Sequence, residues 1–402
     1  MLGLFQFPSN LLNRTSKFQP CLRQLYKWFV IFYLGIIVIL SYFCVLFKSS
    51  KEFIEFFSTF TELGGATLIC IEIIILNLKR RELFELLSRM NKFDLKSNKS
   101  VAFCRRLERI FFFMINGNLI FVIILKFAEP FFPISYKSAQ DIQSIYGLKY
   151  PQNRLPICLW LPFIDTSEPV CFYILYSIEL YYGLLTFVLS TNAALFYPLI
   201  MFHLIGQHFV LAGQLKALGK TQLRKDSRVR PKPSNQERQR LKRLHDVLEM
   251  KECIVFHQKL LEFRVLYDHI SQDTTTLRVV FLLLMTSISS YIISVLSEFD
   301  NKKGSLIIII EFIFTLSFFY IICIMSEIFE WANCHIRRSI YQSQWYRMAP
   351  EAQRMMLMFL RRTQRPHYVR ILYGMVVLGN EVFLRTLKMV FSFVQCVKIV
   401  RK

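Results

Sequence analysis

The sequence predicts an all-α, polytopic membrane protein with seven transmembrane helices, an intracellular N-terminus, an extracellular C-terminus and a cytosolic anchor layer of helices. Three observations predict it. Apolar residues make up 54% of the 402, with 40 Phe and a mean hydropathy of +0.37, a balance typical of chains that fold in lipid. Seven stretches are long enough to span a bilayer as helices. The net charge of +22 is concentrated in the segments between them, mostly on one side.

In chain order, residues 28–47 form the clearest span, twenty residues without a charge. The second, 53–78, is interrupted by Glu55, Glu62 and Glu72, with Gly64 and Gly65 at its middle. The third runs over 110–128 and stops before Pro130; the fourth, 170–201, is longer than a bilayer needs. Residues 279–297 and 306–326 are the fifth and sixth, and the seventh contains 379–400. Residues 1–27 show scattered charges and no small-residue cleavage site, so no cleavable signal peptide is expected there. The resulting divisions are a cytosolic N-terminus (1–27), spans one to four (28–202), a cytosolic loop with a basic linker and a helix (203–275), spans five and six (276–326), anchor helices (327–370) and a final pore-type helix (371–402).

Lys and Arg counts set the orientation. With the N-terminus inside, the cytosolic segments hold 37 basic residues against 8 outside, and the balance survives removal of the long third loop. Within that loop, 220–243 carries ten basic residues with Pro231 and Pro233 and reads as a solvated linker, with anionic lipid or a calmodulin-like partner as the other readings. Beyond it, Val247, Met250, Ile254, Leu261 and Val265 recur near helical spacing and predict a helix below the fifth span. A second apolar run, 355–360, is closed by Arg361, Arg362 and Arg365 before Pro366. Apolar surface placed in water needs a partner, so both runs point to a layer where helices, or subunits, meet.

The stretch 379–400 carries the sharpest functional signal. At about 100° per residue, Glu381, Arg385, Lys388, Ser392, Gln395 and Ile399 share a stripe roughly 80° wide, polar at every position but the last. Ionisable groups are costly in lipid, so such a stripe fits a helix facing a water-filled path; a surface-lying amphipathic helix is the blander reading.

The C-terminal block contains Trp345 in the last cytosolic loop, an Arg362-x-Gln364-Arg365-Pro366 step into the last span, Glu381 before Val382-Phe383, and the aromatic-Ser step Phe391-Ser392. Together these resemble the signature of insect odorant receptors. The resemblance implies a ligand-gated, non-selective cation channel in the plasma membrane of olfactory sensory neurons. An odour-tuned subunit would assemble with a shared co-receptor into a heterotetramer whose last helices line the pore. Glu381, Arg385, Lys388, Ser392, Gln395, Lys398 and Ile399 are then the pore-lining set, and Trp345, Met355, Phe359 and Leu360 the assembly set. In the co-receptor the narrowest turns carry small aliphatic residues with a Gln, whereas this chain places Lys398 near the stripe. Four such ammonium groups would repel by roughly 0.5 to 2 kcal/mol per pair at about 8 Å, which favours one copy in a mixed ring.

A volatile ligand has few polar atoms, so an apolar, aromatic pocket is expected in the outer half of the bundle. The candidates are Phe57, Phe60, Met114, Gly117, Phe121, Ile124, Tyr173, Tyr176, Leu180, Tyr291 and Phe312, of which Met114, Gly117 and Phe121 resemble a small-then-aromatic pocket wall of the family. Against this, aromatics in so Phe-rich a chain commonly serve packing or face lipid. Glu72, Glu179 and Glu311 lie within spans without an evident basic partner and suggest a vestibule or gating network, whereas the histidines read as structural. Cys158 and Cys171 could meet in an external loop or stay as thiols, and the ten cysteines show no metal-binding spacing.

Enzyme motifs of the GxSxG, Walker A, GxGxxG and HExxH kinds do not occur, so neither catalysis nor a cofactor is expected. The expected partners are the co-receptor, a small volatile odorant, permeating cations and membrane lipid, and no nucleic acid. Two alternatives share the span count. A receptor acting through G proteins lacks support from the loop charges and from any Asn-Pro-x-x-Tyr in the seventh span; a gustatory receptor differs at the Glu381 to Phe383 step.

Overall fold

The structure is a computed structural model that describes residues 18–49, 53–93, 99–132, 136–161, 164–220, 234–296 and 302–401. Ten helices run through it: α1 (Phe18–Phe47), α2 (Phe53–Leu78), α3 (Arg80–Asn91), α4 (Lys99–Ala128), α5 (Tyr136–Tyr146), α6 (Pro169–Ala217), α7 (Asn235–Leu296), α8 (Lys302–Tyr341), α9 (Pro350–Thr363) and α10 (Asn380–Arg401). The described β-structure is one short antiparallel hairpin, β1 (Arg370–Ile371) with β2 (Val376–Val377), pairing Arg370 with Val377 and Ile371 with Val376. Among the described residues α1, α2, α4, α6, α7 and α8 are long and apolar enough to cross a membrane. The chain is therefore an all-α polytopic membrane protein. Helix α10 has a spanning length, 22 residues, but its Glu381, Arg385 and Lys388 keep it below that apolarity.

Two helices exceed what a bilayer requires. At 1.5 Å per residue, the 49 residues of α6 reach about 74 Å and the 62 of α7 about 93 Å, against a hydrocarbon core of about 30 Å. Helix α6 is the hub, packing against α2, α4, α7 and α8. Its first half leaves Ile174, Ile178, Leu184 and Val188 uncovered, while Met201, Phe202, Leu204, Ile205, Leu211 and Leu215 are sealed. Lipid solvates an outward leucine as well as a neighbouring helix does, whereas water does not. The tight core consequently lies where α6 and α7 overrun the bilayer, together with α3, α9 and the end of α8; Phe263, Phe329 and Met250 belong to it.

Local chemistry fixes the helix ends. Ser234 and Glu237 form a reciprocal capping box at the start of α7, the Glu237 amide donating to Ser234 Oγ at 3.3 Å and the Ser234 amide to Glu237 Oε2 at 3.0 Å. The basic run expected as linker through Arg243 is thus already helix from Asn235; residues 221–233 lie outside the described residues. The predicted helix below the fifth span and that span are one unbroken element. Helix α9 opens on Pro350 with Glu351 in its first turn and closes on Arg361 and Arg362, charges that complement its dipole. Just past α6, Gly219 takes φ of +73°, and a Cβ there would come within 2.4 Å of the Gln344 carbonyl oxygen. Gly219→Ala is expected to cost about 1 to 2 kcal/mol from the left-handed conformation alone, and more from displacing the α8–α9 turn. A denaturation midpoint unchanged from wild type would rule out this account.

The linker into α10 is bound to α8 by polar groups. Asn333 Nδ2 donates to the Thr363 and Arg365 carbonyls at 3.3 and 3.1 Å, and Glu330 accepts the His367 amide. The Asn380 amide donates to Glu327 Oε1 at 3.0 Å, at the start of α10. Beneath this linker sit three buried histidines, His208, His257 and His367. The His208 and His367 ring centres are 6.2 Å apart, both rings flank Phe329, and His257 lies 4.8 Å from Phe359. The Arg264 guanidinium covers Phe329 at 4.3 Å and donates to the Tyr368 carbonyl at 2.6 Å.

Candidate ligand cavity and pore helix

A cavity of about 150 Å³ opens at the end of the bundle opposite the packed layer, between α2, the end of α4, α5, residues 148–159 and Thr166. Its wall is charged. Lys126 pairs with Glu62 across helices and lies 3.6 Å from Glu129, while Arg154 Nη2 bonds Glu129 Oε1 at 2.7 Å. Behind the wall, the Ile157 amide donates to Glu179 Oε2 at 3.0 Å; Glu179 is 0% exposed, and among the described residues its Oε1 has no hydrogen-bond partner. A disulfide from Cys44, at the end of α1, to Cys158 fastens the loop over the cavity, with Cα atoms 6.0 Å apart. This corrects the possible Cys158–Cys171 bridge: Cys171 is a free thiol, because it lies in the first turn of α6 while Cys158 reaches α1.

None of the eleven sequence-predicted pocket residues lines this cavity. Met114, Phe121, Ile124, Tyr173 and Leu180 point outward, and at Gly117 an added Cβ would meet nothing within 4 Å. Phe60 is exposed, while Phe57, Tyr291 and Phe312 are half-buried. Tyr176 comes nearest to the expected role. It packs its ring against Phe127, Phe131 and Phe172 and donates to the Phe127 carbonyl at 2.9 Å. Sequence reasoning missed Lys126, Glu129 and Arg154; Lys126, a lone cation at the end of an apolar run, was the available signal.

Of the carboxylates within spans, Glu72 has a charged partner that spacing does not reveal. Arg278 grips Glu72 with two bonds, Nε to Oε1 at 2.9 Å and Nη2 to Oε2 at 2.7 Å, and donates again to the Ala193 carbonyl at 3.1 Å. Both side chains are buried, Glu72 at 2% exposure, so α2, α6 and α7 meet at one charged knot.

Helix α10 packs through one face. Val382 and Phe383 join the core, Phe383 against Phe319 and Tyr320, and Thr386 and Val390 are buried. Val390 is nine residues from both Glu381 and Ile399, which is 180° around a helix at 100° per residue. The stripe therefore stands opposite the packed face: Glu381, paired with Arg385, and Lys388, Ser392, Gln395 and Ile399 are all exposed, Ile399 at 74%. The Lys398 side chain lies outside the described residues.

Of the assembly candidates, Phe359 is buried at 5% exposure against His257, and Met355, Leu360 and Trp345 are half-buried against the same core. Helix α9 turns Ala352, Met356, Phe359 and Thr363 inward; the apolar side chains it leaves uncovered are Leu357 and Met358.

Residues 52–391 match the sequence profile of the family described as 7tm Odorant receptor. Two solved structures of the insect olfactory receptor OR5 from Machilis hrabei share the fold at 10% identity. One aligns with a TM-score of 0.71, and one in complex with eugenol with 0.72; each alignment covers 98% of this chain and 93% of that one. No curated protein matches the chain.

Proposed function

This chain belongs to the 7tm odorant receptor family, and we propose that within it the chain is the odour-binding, tuning subunit of a ligand-gated, non-selective cation channel. The channel is a heteromer with a shared co-receptor in the plasma membrane of olfactory sensory neurons. A small organic ligand, entering from outside, opens it. One observation carries this reading: the polar stripe of α10 lies opposite the face that packs on α7 and α8, so an otherwise apolar bundle presents a wet edge outward. A ring of such edges makes an aqueous path, and a lone subunit in lipid would leave them unsolvated.

Two further features support the reading. The Cys44–Cys158 bridge fits an oxidising compartment, and loop charge independently assigns that end of the bundle to the outside. This orientation supports α10 as a seventh span that begins in the cytosol and ends outside. Leu357 and Met358 add an uncovered apolar patch on the packed layer, suited to subunit contact. The complex of the Machilis hrabei receptor with eugenol supports a small organic molecule as the ligand class here.

The test combines topology with current. Tags before Met1 and after Lys402 are expected to be reached by antibody from inside and outside respectively, and odour-gated cation current to require the co-receptor. An N-terminal tag reached from outside would overturn the orientation and with it the pore assignment. Robust current from the chain alone would overturn the tuning-subunit role.

A further inference from the structure

We propose that the β1–β2 hairpin is a lipid anchor: its tip, Leu372, Tyr373 and Met375, enters the headgroup layer of the bilayer and fixes the depth at which α10 begins. The hairpin is built to turn these side chains outward. Leu372 and Tyr373, at φ of +50° and +54°, and Gly374, at +94°, are three left-handed residues in succession. Bulky side chains are rarely held in that region, and where they are, the strain points to a use. The strands close by pairing Arg370 with Val377, and the Leu378 amide donates to the Val369 carbonyl at 2.9 Å. Ile371 and Leu378 are buried, whereas Tyr373 is 88% exposed and Met375 80%. A turn in water ordinarily carries Gly, Asn, Asp or Ser around its tip, but 371–378 is apolar throughout except for Gly374 and the Tyr373 hydroxyl.

What covers the tip follows from its height. Three separate contacts mark the bilayer edge on the side of the packed layer. The second span ends at Leu78, and Lys79, the next residue, reaches Asp273 of α7 at 2.6 Å. The fifth apolar stretch starts at Val279, and Thr276, about 4.5 Å before it along the helix, accepts the Leu372 amide through Oγ1 at 3.3 Å. The sixth ends at Ser326, whose Oγ accepts the Val369 amide at 2.8 Å. The hairpin therefore lies level with the edge of the hydrocarbon. A tyrosine suits that layer, with an apolar ring and a hydroxyl that stays hydrated. The exposed Arg370 beside the tip suits lipid phosphate. Lipid is present at this height before any assembly, and it asks no complementary shape of the tip. The argument holds whichever end of the chain faces outside.

The test places a fluorophore at the tip. Tyr373→Trp is compared with wild type, whose own tryptophans are Trp28, Trp160, Trp331 and Trp345, as the full chain in phospholipid nanodiscs. The difference in emission reports the tip. It is expected to lose about half its intensity when the lipids carry bromine near the glycerol end of their acyl chains. Bromine near the terminal methyl should quench it less, and aqueous acrylamide little. Met375→Trp carries the same expectation and serves if the first variant does not fold. Quenching by acrylamide as strong as that of free indole, with none from brominated lipid, puts the tip in water and overturns the proposal. Shielding from both quenchers means that protein covers the tip, and overturns it equally.

Discussion

Arg278→Met, with Glu72 left in place, is expected to remove most of the chain from the cell surface and to lower its unfolding midpoint in detergent steeply. The guanidinium satisfies both Glu72 oxygens and the Ala193 carbonyl, and its carbon lies 5.7 Å from the Phe318 ring centre, so four helices depend on it. Removing one partner of a buried pair strands the other charge, at a cost of about 3–5 kcal/mol. That is a large part of a typical folding stability. The double variant Glu72→Leu, Arg278→Met is expected to recover much of the loss, because a well-packed apolar pair often does as well as a buried ion pair. If the double variant proves as unstable as the single, stranded charge is not the cause.

The second large effect is one of pH. Burial, together with the nearby Arg264 and Arg362 charges, holds the His367 imidazole down to about 2. His367 stands in the segment between α9 and α10, outside the helices that are long and apolar enough to cross a membrane. An unfolded imidazole titrates near 6.5. Below that value the unfolded chain binds more protons than the folded one, so stability rises with pH and falls on acidification. Stability is therefore expected to be level above about pH 7 and to decline from about 6.5 towards 4, by on the order of 3 kcal/mol at the lower end. Glu330 accepts the His367 amide and pairs with Arg337, and Asp268 pairs with Arg264. Denaturation of the detergent-solubilised chain across this range measures the slope, and His367→Phe should flatten it. A midpoint indifferent to pH between 7 and 5 would show that the His367 ring is not kept neutral.

Much of the fold is legible in the sequence because apolar length is a property of contiguous residues. The runs at 28–47 and 53–78 are spans whatever they touch. The capping box at Ser234 and Glu237 was equally local, and the density of basic residues around it hid the start of α7. What is not legible is pairing at a distance. Glu72 and Arg278 are 206 residues apart and Cys44 and Cys158 are 114 apart. The sequence does not say which way the aromatic pocket candidates point, for a related reason. A helix in lipid carries apolar side chains all round, so Met114 or Phe121 has no polar opposite face to reveal which way it points. On α10 the polar stripe supplies that contrast, and the stripe read from the sequence lies on the uncovered side, with Leu384, Met389 and Phe391 exposed beside it.

The same mixed character governs how the chain comes to be made. With Glu381, Arg385 and Lys388 in its first turns, α10 is a poor client for the insertion machinery, which selects segments by their own affinity for lipid. Its docking face, Val382, Phe383, Thr386 and Val390, has a partner only once α7 and α8 stand in the membrane. Those helices precede it in synthesis, so α10 waits for a bundle already formed. A misfolded bundle offers it no docking face and leaves that step undone.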